Sequence, residues 1–500
     1  VAKDATTPAG SEAANDRLAP IPIRLKLGYG LGSLVDGVGT NAVNLFLLFY
    51  LTAICGMGGA AAGVALSAGL IVDAVFDPAL GAVSDGWRSR WGRRLPFLAA
   101  GVIPAALSFV AIFTIPRMLH GAALFPAVLG LSILLRLSIS TFNLPYQALG
   151  AEISDSYGER SSIAAWRWGL GMTGLLLCVA LGFGVFFTAP QGLMHASAYS
   201  PFAIASTSII IVGGGVSMLA VHALRNRAHV AAAGGLSFAH FGRDLKEVFG
   251  NPSFRVLFAS ATFFFAGFAL NQAVTFHANT FFWALTPNEI QLATLATFAG
   301  LILGAPLMAP LVVKLEKRTT VFIGLFGLIA TQVGPPGARL LGLLPLQHGS
   351  LTAVLSADAF VGGVMLSTAG IAFASMMADA ADEHEVLFHK RREGLYFAGW
   401  AFAAKAAAGL GALFAGVALQ LIGFPADLAA HGGLHATIPP AVIWRIGLVS
   451  GPVSGIFSLT GAAFVLAYRL DAKGHARVLQ TLAERRAAAR TIPMDSPLFP

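Results

Sequence analysis

Twelve apolar runs recur along this 500-residue chain, each near the roughly 20 residues with which a helix crosses a bilayer. They lie at 26–53, 60–84, 96–116, 122–152, 163–188 and 200–224, and again at 256–283, 288–313, 320–342, 350–378, 394–423 and 441–468. Inside lipid every backbone polar group must be satisfied within the protein, so runs of this length predict helices. Only 11% of the residues are charged and 56% are hydrophobic, whereas a soluble domain carries roughly 25% charged residues. Too few charges remain to dress a water-facing surface. The expected fold is an all-α integral membrane bundle.

The basic residues between the runs test the count. Connections after even-numbered spans hold Arg88, Arg90, Arg93 and Arg94, then Arg160, then Arg225, Arg227, Arg243 and Lys246, then Lys314, Lys317 and Arg318, then Lys390, Arg391 and Arg392. Connections after odd-numbered spans hold little beyond Arg117 and Arg339. This asymmetry places the even connections and both termini on the cytoplasmic side. The net charge of +8 follows from those connections and does not imply a nucleic-acid partner. Residues 1–20 are polar and small, without the apolar core of a signal peptide, and read as a disordered tail. Residues 21–224 then form one six-helix bundle, 225–255 a cytoplasmic linker, 256–469 a second bundle and 470–500 a cytoplasmic tail. Cys55 and Cys178 match no zinc or redox spacing and read as packing residues.

The two sets of six echo each other. "SRWGRRLPFL" leads into the third span and "KLEKRTTVFI" into the ninth. "SDSYGERSS" follows the fourth and "DEHEVLFHKRREG" the tenth, each beginning acidic and ending basic. Such parallel halves are a signature of major facilitator transporters. The 57 glycines permit close helix packing.

A charge near the bilayer centre costs roughly 2.5–3.5 kcal/mol on the insertion scale, so ionisable groups inside spans are functional candidates. Asp73 and Asp77 stand inside "GLIVDAVFDPALG", four residues apart and therefore on one helix face. Two close carboxyls in a low dielectric do not both ionise unaided. Either they share a proton or a bound cation holds them, and carboxylate oxygens suit a hard ion such as Na⁺. The alternative is that one of them caps a helix break at Pro78. Arg136, Ser140, Asn143 and Gln147 share a face of span 4. Asp36, Thr40 and Asn44 form a ladder in span 1, and Asn271, Thr275 and Asn279 another in span 7, near Gln272 and His277. Arg167 lies in span 5. Lys405, within "AFAAKAAAGLG" of span 11, needs a carboxylate partner or water, and Asp73, Asp77 and Asp36 are the candidates. At the cytoplasmic side, Arg88, Arg90 and Arg93, with Asp382, Glu385, Arg391 and Glu393, read as a gate closed by charge pairs.

Three segments together resemble the glycoside–pentoside–hexuronide:cation symporter family, the melibiose-permease-like branch of the major facilitators. They are "DAVFDPALGAVSDGWRSRWGRRLPF", "FNLPYQALGAEISDSYGERSSIAAWR" and "ADAADEHEVLFHKRREGLYFAGWAFAAK". The resemblance implies twelve helices in two halves around a central cavity, both termini cytoplasmic, in the plasma (inner) membrane. It places Asp73 and Asp77 on the family's cation-site aspartates, Ser140 on a hydroxyl beside the cation and Lys405 on the coupling lysine. Arg167 falls on a span-5 arginine near the cavity, and Asp36 one residue from the span-1 acid. Asn143 stands where sugar-carrying members have a third carboxylate, and Gln147 where they have a tryptophan. A related branch that carries lysophospholipids with sodium also keeps the acid pair and the lysine while lacking the third acid. The implied function is symport of a glycoside, or of a lysolipid, with Na⁺ or H⁺ and no cofactor; a uniporter of the same fold is the remaining alternative. The chain contains no nucleophile–base set, so no enzyme activity is expected. The expected working form is a monomer in the lipid bilayer.

Overall fold

The computed structural model describes residues 20–491 apart from 120, 155, 226–245, 345–347, 391–392, 427 and 429–437. Span 1 is helical in pieces: α1 (Ile23–Gly30), α2 (Ser33–Ala42), then two wide π-helical turns at Val43–Leu47 and Tyr50–Ile54. The following spans are α3 (Gly59–Gly86), α4 (Leu95–Thr114), α5 (Leu124–Glu152), α6 (Tyr157–Leu181) and α7 (Tyr199–Ala223). Then come α8 (Pro252–His277), α9 (Pro287–Lys314), α10 (Lys317–Leu340), α11 (His348–Phe388) and α12 (Glu393–Leu421). The last span is α13 (Pro440–Leu448), a π-helical turn at Val449–Val453 and α14 (Ser454–Leu466); α15 (Ala472–Thr491) follows it. Among the described residues eleven helices are long and apolar enough to cross a membrane. Residues 23–54 supply the twelfth span in shorter pieces, so the twelve-helix reading stands.

The end of one span differs from the sequence reading. α11 does not stop near residue 378 but runs 41 residues to Phe388. "ADAADEHEVLF" is polar, yet it contains neither glycine nor proline, and nothing in it ends a helix. Asp382 and Glu385 therefore stand on a helix and not in a loop. α3 passes through Pro78 without a break, as the single apolar run at 60–84 predicts. Neither Asp73 nor Asp77 caps a second helix, and that alternative falls away.

Contacts group the chain into two units. The first comprises residues 1–235, 272–291 and 412–446, the second 236–271, 292–411 and 447–500. The first unit has an aromatic core in which Phe46 packs against Phe183, Phe187, Phe202 and Phe276, with centroids 5.2–5.6 Å apart. The second is built on Phe254, Phe264, Val321, Leu325, Phe373, Met376 and Tyr396.

Small residues set the helix spacing within each unit. A Cβ on Gly101 of α4 would lie 2.5 Å from the backbone nitrogen of Phe142 on α5. The obstacle is backbone and cannot turn aside. Overpacking of this kind costs typically 1–3 kcal/mol. Gly101→Val is expected to lower the apparent melting temperature of the detergent-purified protein by several degrees, whereas Gly130→Val, where nothing lies within 4 Å, should leave it nearly unchanged.

Candidate cation and substrate site

α3 carries Asp73 into the first unit, where it is only 4% exposed. The Ser140 hydroxyl of α5 donates to its Oδ1. Asp77, one turn further along the same face, is half-buried. Pro78 has no N–H, so the carbonyl of Ala74 between the two acids loses its usual helical donor. Arg136, one turn before Ser140 on α5, has Asp73 and Asp36 as its charged neighbours. Its Nη2 donates to Asn44 Oδ1 at 2.8 Å. Asn44 lies in the first π-helical turn of span 1, and the Thr40 hydroxyl before it donates to Asp36 Oδ1 at 2.6 Å. Asp36, Thr40, Asn44, Arg136, Ser140 and Asp73 thus form one cluster, with Asp77 one turn from Asp73. Asn143 is half-buried one turn beyond Ser140.

Other sequence candidates are placed elsewhere. Arg167 on α6 donates to the backbone carbonyl of Gln147 at 3.2 Å, while the Gln147 side chain is exposed. The span-7 ladder is divided between the units: the Asn271 amide donates to the Ser450 carbonyl in the second, while Thr275 and Asn279 belong to the first. Lys405 is half-buried on α12 in the second unit. A separate cavity of about 680 Å³ in the first unit is lined by Ile54, Cys55, Met57, Arg117, Leu124 and their neighbours. No residue of the acid cluster lines it.

The expected gate residues divide by environment. Arg88 and Arg90 are exposed, and Arg90 lies over the Trp91 ring at 5.3 Å. Arg93 Nη2 reaches Glu152 Oε1 at 2.6 Å. Asp382 accepts from His475 Nε2 at 3.1 Å, and Glu385 pairs with Arg486 at 3.1 Å. Both partners come from α15, so these acids bind the helix after the last span and not the loop arginines expected from the sequence. Arg391 and most of the linker lie outside the described residues, and the Glu393 side chain is likewise not described.

The sequence reading passed over the stronger pairs. Arg94, just before α4, binds Ser84 at 2.6 Å, Asp85 at 2.7 Å and Glu152 at 2.7 Å. In the second unit Lys317, at the start of α10, grips both oxygens of Asp379 on α11 at 2.7 and 2.8 Å. Each pair ties the start of a half's third span to the cytoplasmic end of its fourth. The signal was present in the parallel "GRRLPF" and "EKRTTVF", but their partners lie 58 and 62 residues away.

Comparison with known proteins gives the family and the fold. Residues 28–472 match the family model described as "MFS/sugar transport protein". An uncharacterized symporter, sll1374, of Synechocystis sp. is 26% identical, with 92% of this chain and 96% of that protein covered. The isoprimeverose transporter of Lactiplantibacillus pentosus is 24% identical over 95% of this chain and 94% of its own length. The xylose transporter XylE from E. coli, solved in a partially occluded inward-open form, shares the fold with a TM-score of 0.58 at 12% identity, covering 90% and 98% of the two chains. The chain belongs to the glycoside–pentoside–hexuronide:cation symporter family of the major facilitator superfamily, and is a multi-pass membrane transporter and not an enzyme.

Proposed function

We propose that this transporter moves a sugar or glycoside across the plasma (inner) membrane together with Na⁺ or H⁺, by alternating access. The observation that carries the reading is the buried Asp73, held by Ser140, with Asp77 one turn away on the same helix face. Three carboxyls, Asp36, Asp73 and Asp77, stand against one guanidinium, Arg136, which leaves the cluster attractive to a cation. Carboxylate, hydroxyl and freed carbonyl oxygens suit a hard monovalent ion. The Asn143 amide adds an oxygen without a charge. Lys405, Arg167, Gln147, Asn271 and Thr275 are the residues proposed to meet the substrate or to couple it to the ion. The isoprimeverose transporter among the relatives supports a glycoside cargo. The neutral Asn143 supports a second reading, an amphipathic lysolipid.

Proteoliposomes test these readings. A pentose glycoside, a hexuronide and a lysophosphatidylcholine are each offered under an inward Na⁺ gradient, an inward proton gradient, or none. Accumulation of a glycoside above its equilibrium level under one gradient is expected. Filling to the same level under all three conditions would mean a uniporter, and accumulation of the lysolipid alone would transfer the proposal to that cargo.

A further inference from the structure

His277, the last residue of α8, is completely buried in the first unit. Its Nε2 lies 2.9 Å from the Thr52 hydroxyl in the second π-helical turn of span 1. That hydroxyl has one proton, and it is directed to the Leu48 carbonyl at 2.8 Å. With that proton on the carbonyl, the contact is made by His277 donating from Nε2. Nδ1 is then an acceptor, and it meets no hydrogen-bond partner among the described residues. The ring sits between Phe49 at 4.9 Å and Phe424 at 5.0 Å, and Phe281 packs on both of those rings.

This junction joins segments that the sequence keeps far apart. Residues 272–291 and 412–446 follow the linker in the chain, yet by their contacts they belong to the first unit. In the same unit, α3 meets the last part of α12 through glycines. A Cβ on Gly59 would lie 2.5 Å from the Gly416 carbonyl oxygen, and one on Gly416 would lie 2.7 Å from the Gly63 Cα. The Ala60 N–H donates to Gln420 Oε1 at 3.0 Å. The connections at this end, 55–58 and 283–286, are without basic residues, which marks the side opposite the arginine-rich loops.

We propose that the Thr52–His277 hydrogen bond is the clasp of a seal on the non-cytoplasmic side, broken and remade in each transport cycle. The proposal rests on the alternating-access reading above. The hydrogen bond favours the closed form, and losing either partner favours the open one. The Thr52–His277 contact holds the junction while Nδ1 has no hydrogen-bond partner among the described residues, and opening would give both nitrogens and the threonine hydroxyl water to bond. Closed and open forms are thereby kept close in free energy, as a device that must switch requires. His277 and Thr52 are positioning residues and need not touch the cargo.

The test reads opening directly, without substrate or gradient. Ala62, fully buried on α3, is replaced by cysteine in a Cys55→Ser, Cys178→Ala background. Its alkylation by a membrane-impermeant maleimide is followed in proteoliposomes. Thr52→Val, which keeps the volume and removes the hydroxyl, should raise the labelling rate about five- to tenfold, as loss of one hydrogen bond allows. His277→Phe should do the same, while Thr52→Ser should label at the parental rate. Thr52→Ala serves in place of Thr52→Val if that variant does not melt cooperatively. Parental labelling in both His277→Phe and the Thr52 variant would overturn the clasp, as would a Thr52→Ser rate equal to that of Thr52→Val. Since the assay needs no ion gradient, failure of the symport reading would show only in the uptake experiment.

Discussion

Asp73→Asn is expected to reduce gradient-driven accumulation at least tenfold while leaving the protein folded. Asparagine fills the same volume and can still accept the Ser140 hydroxyl through its amide oxygen, so the α3–α5 contact survives. What disappears is the charge. In a site that is 4% exposed, water does not replace it, and hydrogen bonds and ion pairs to a desolvated carboxylate are stronger than neutral ones. Each tenfold loss of ion affinity corresponds to about 1.4 kcal/mol, which the loss of one ligand charge readily exceeds at the low effective dielectric of a buried site. Arg136 also loses one of its two acidic neighbours. It then competes for Asp36 and Asp77 and opposes an incoming cation. Asp77→Asn should act in the same direction but less strongly, because Asp77 is half-buried. Uptake into proteoliposomes under the effective gradient, set beside substrate counterflow at equal ion concentrations, separates ion coupling from substrate binding. Undiminished accumulation in Asp73→Asn would remove this residue from the coupling site.

The acid pair was legible because it violates its surroundings. Two aspartates in an apolar span are expensive wherever the chain folds, and i,i+4 spacing puts them on one face in any helix. Ser140 and Arg136 were visible for the same reason, although nothing in the spacing of α5 says which helix they meet. Partners distant in sequence were not legible. Arg88, Arg90, Arg93 and Arg94 are four similar basic residues in a string, yet the fold leaves the first two in water and directs the last two at Glu152. Asp382 and Glu385 looked like loop acids because a polar run at a span's end usually leaves the helix. Here the helix continues, and the acids face His475 and Arg486 on α15. The interruption of span 1 was also hidden: Gly28, Gly30 and Gly32 are spread evenly, and the turn comes at Leu31–Gly32. Gly32 sits against Ser217 and Tyr146, which only the assembled unit brings to it.

Glu152→Gln is expected to be among the most destabilising single substitutions on the cytoplasmic side, at about 3 kcal/mol, in the range found when a buried ion pair loses one partner. Glu152 Oε1 receives both Arg93 at 2.6 Å and Arg94 at 2.7 Å. With a neutral amide there, two guanidinium groups remain close together with only Asp85, which is half-exposed, to offset them. The Arg94 side chain is 4% exposed and cannot turn to water, while that of Arg93, at 17%, can do so in part. Arg94→Ala should cost less, about 2 kcal/mol, since Arg93 still covers Glu152 and the exposed end of the network is screened. Arg94→Lys should recover little of that. A single ammonium cannot serve Ser84, Asp85 and Glu152 with the geometry of a planar fork. Arg90→Ala, an exposed change, should fall within about 0.5 kcal/mol of the parent. The ordering Glu152→Gln, Arg94→Ala, Arg90→Ala in apparent melting temperature is the measurement. If Glu152→Gln melts with Arg90→Ala, this network does not hold α3, α4 and α5 together. Should the order hold but uptake fall in Arg90→Ala alone, the exposed arginines serve the transport cycle and the buried ones the fold.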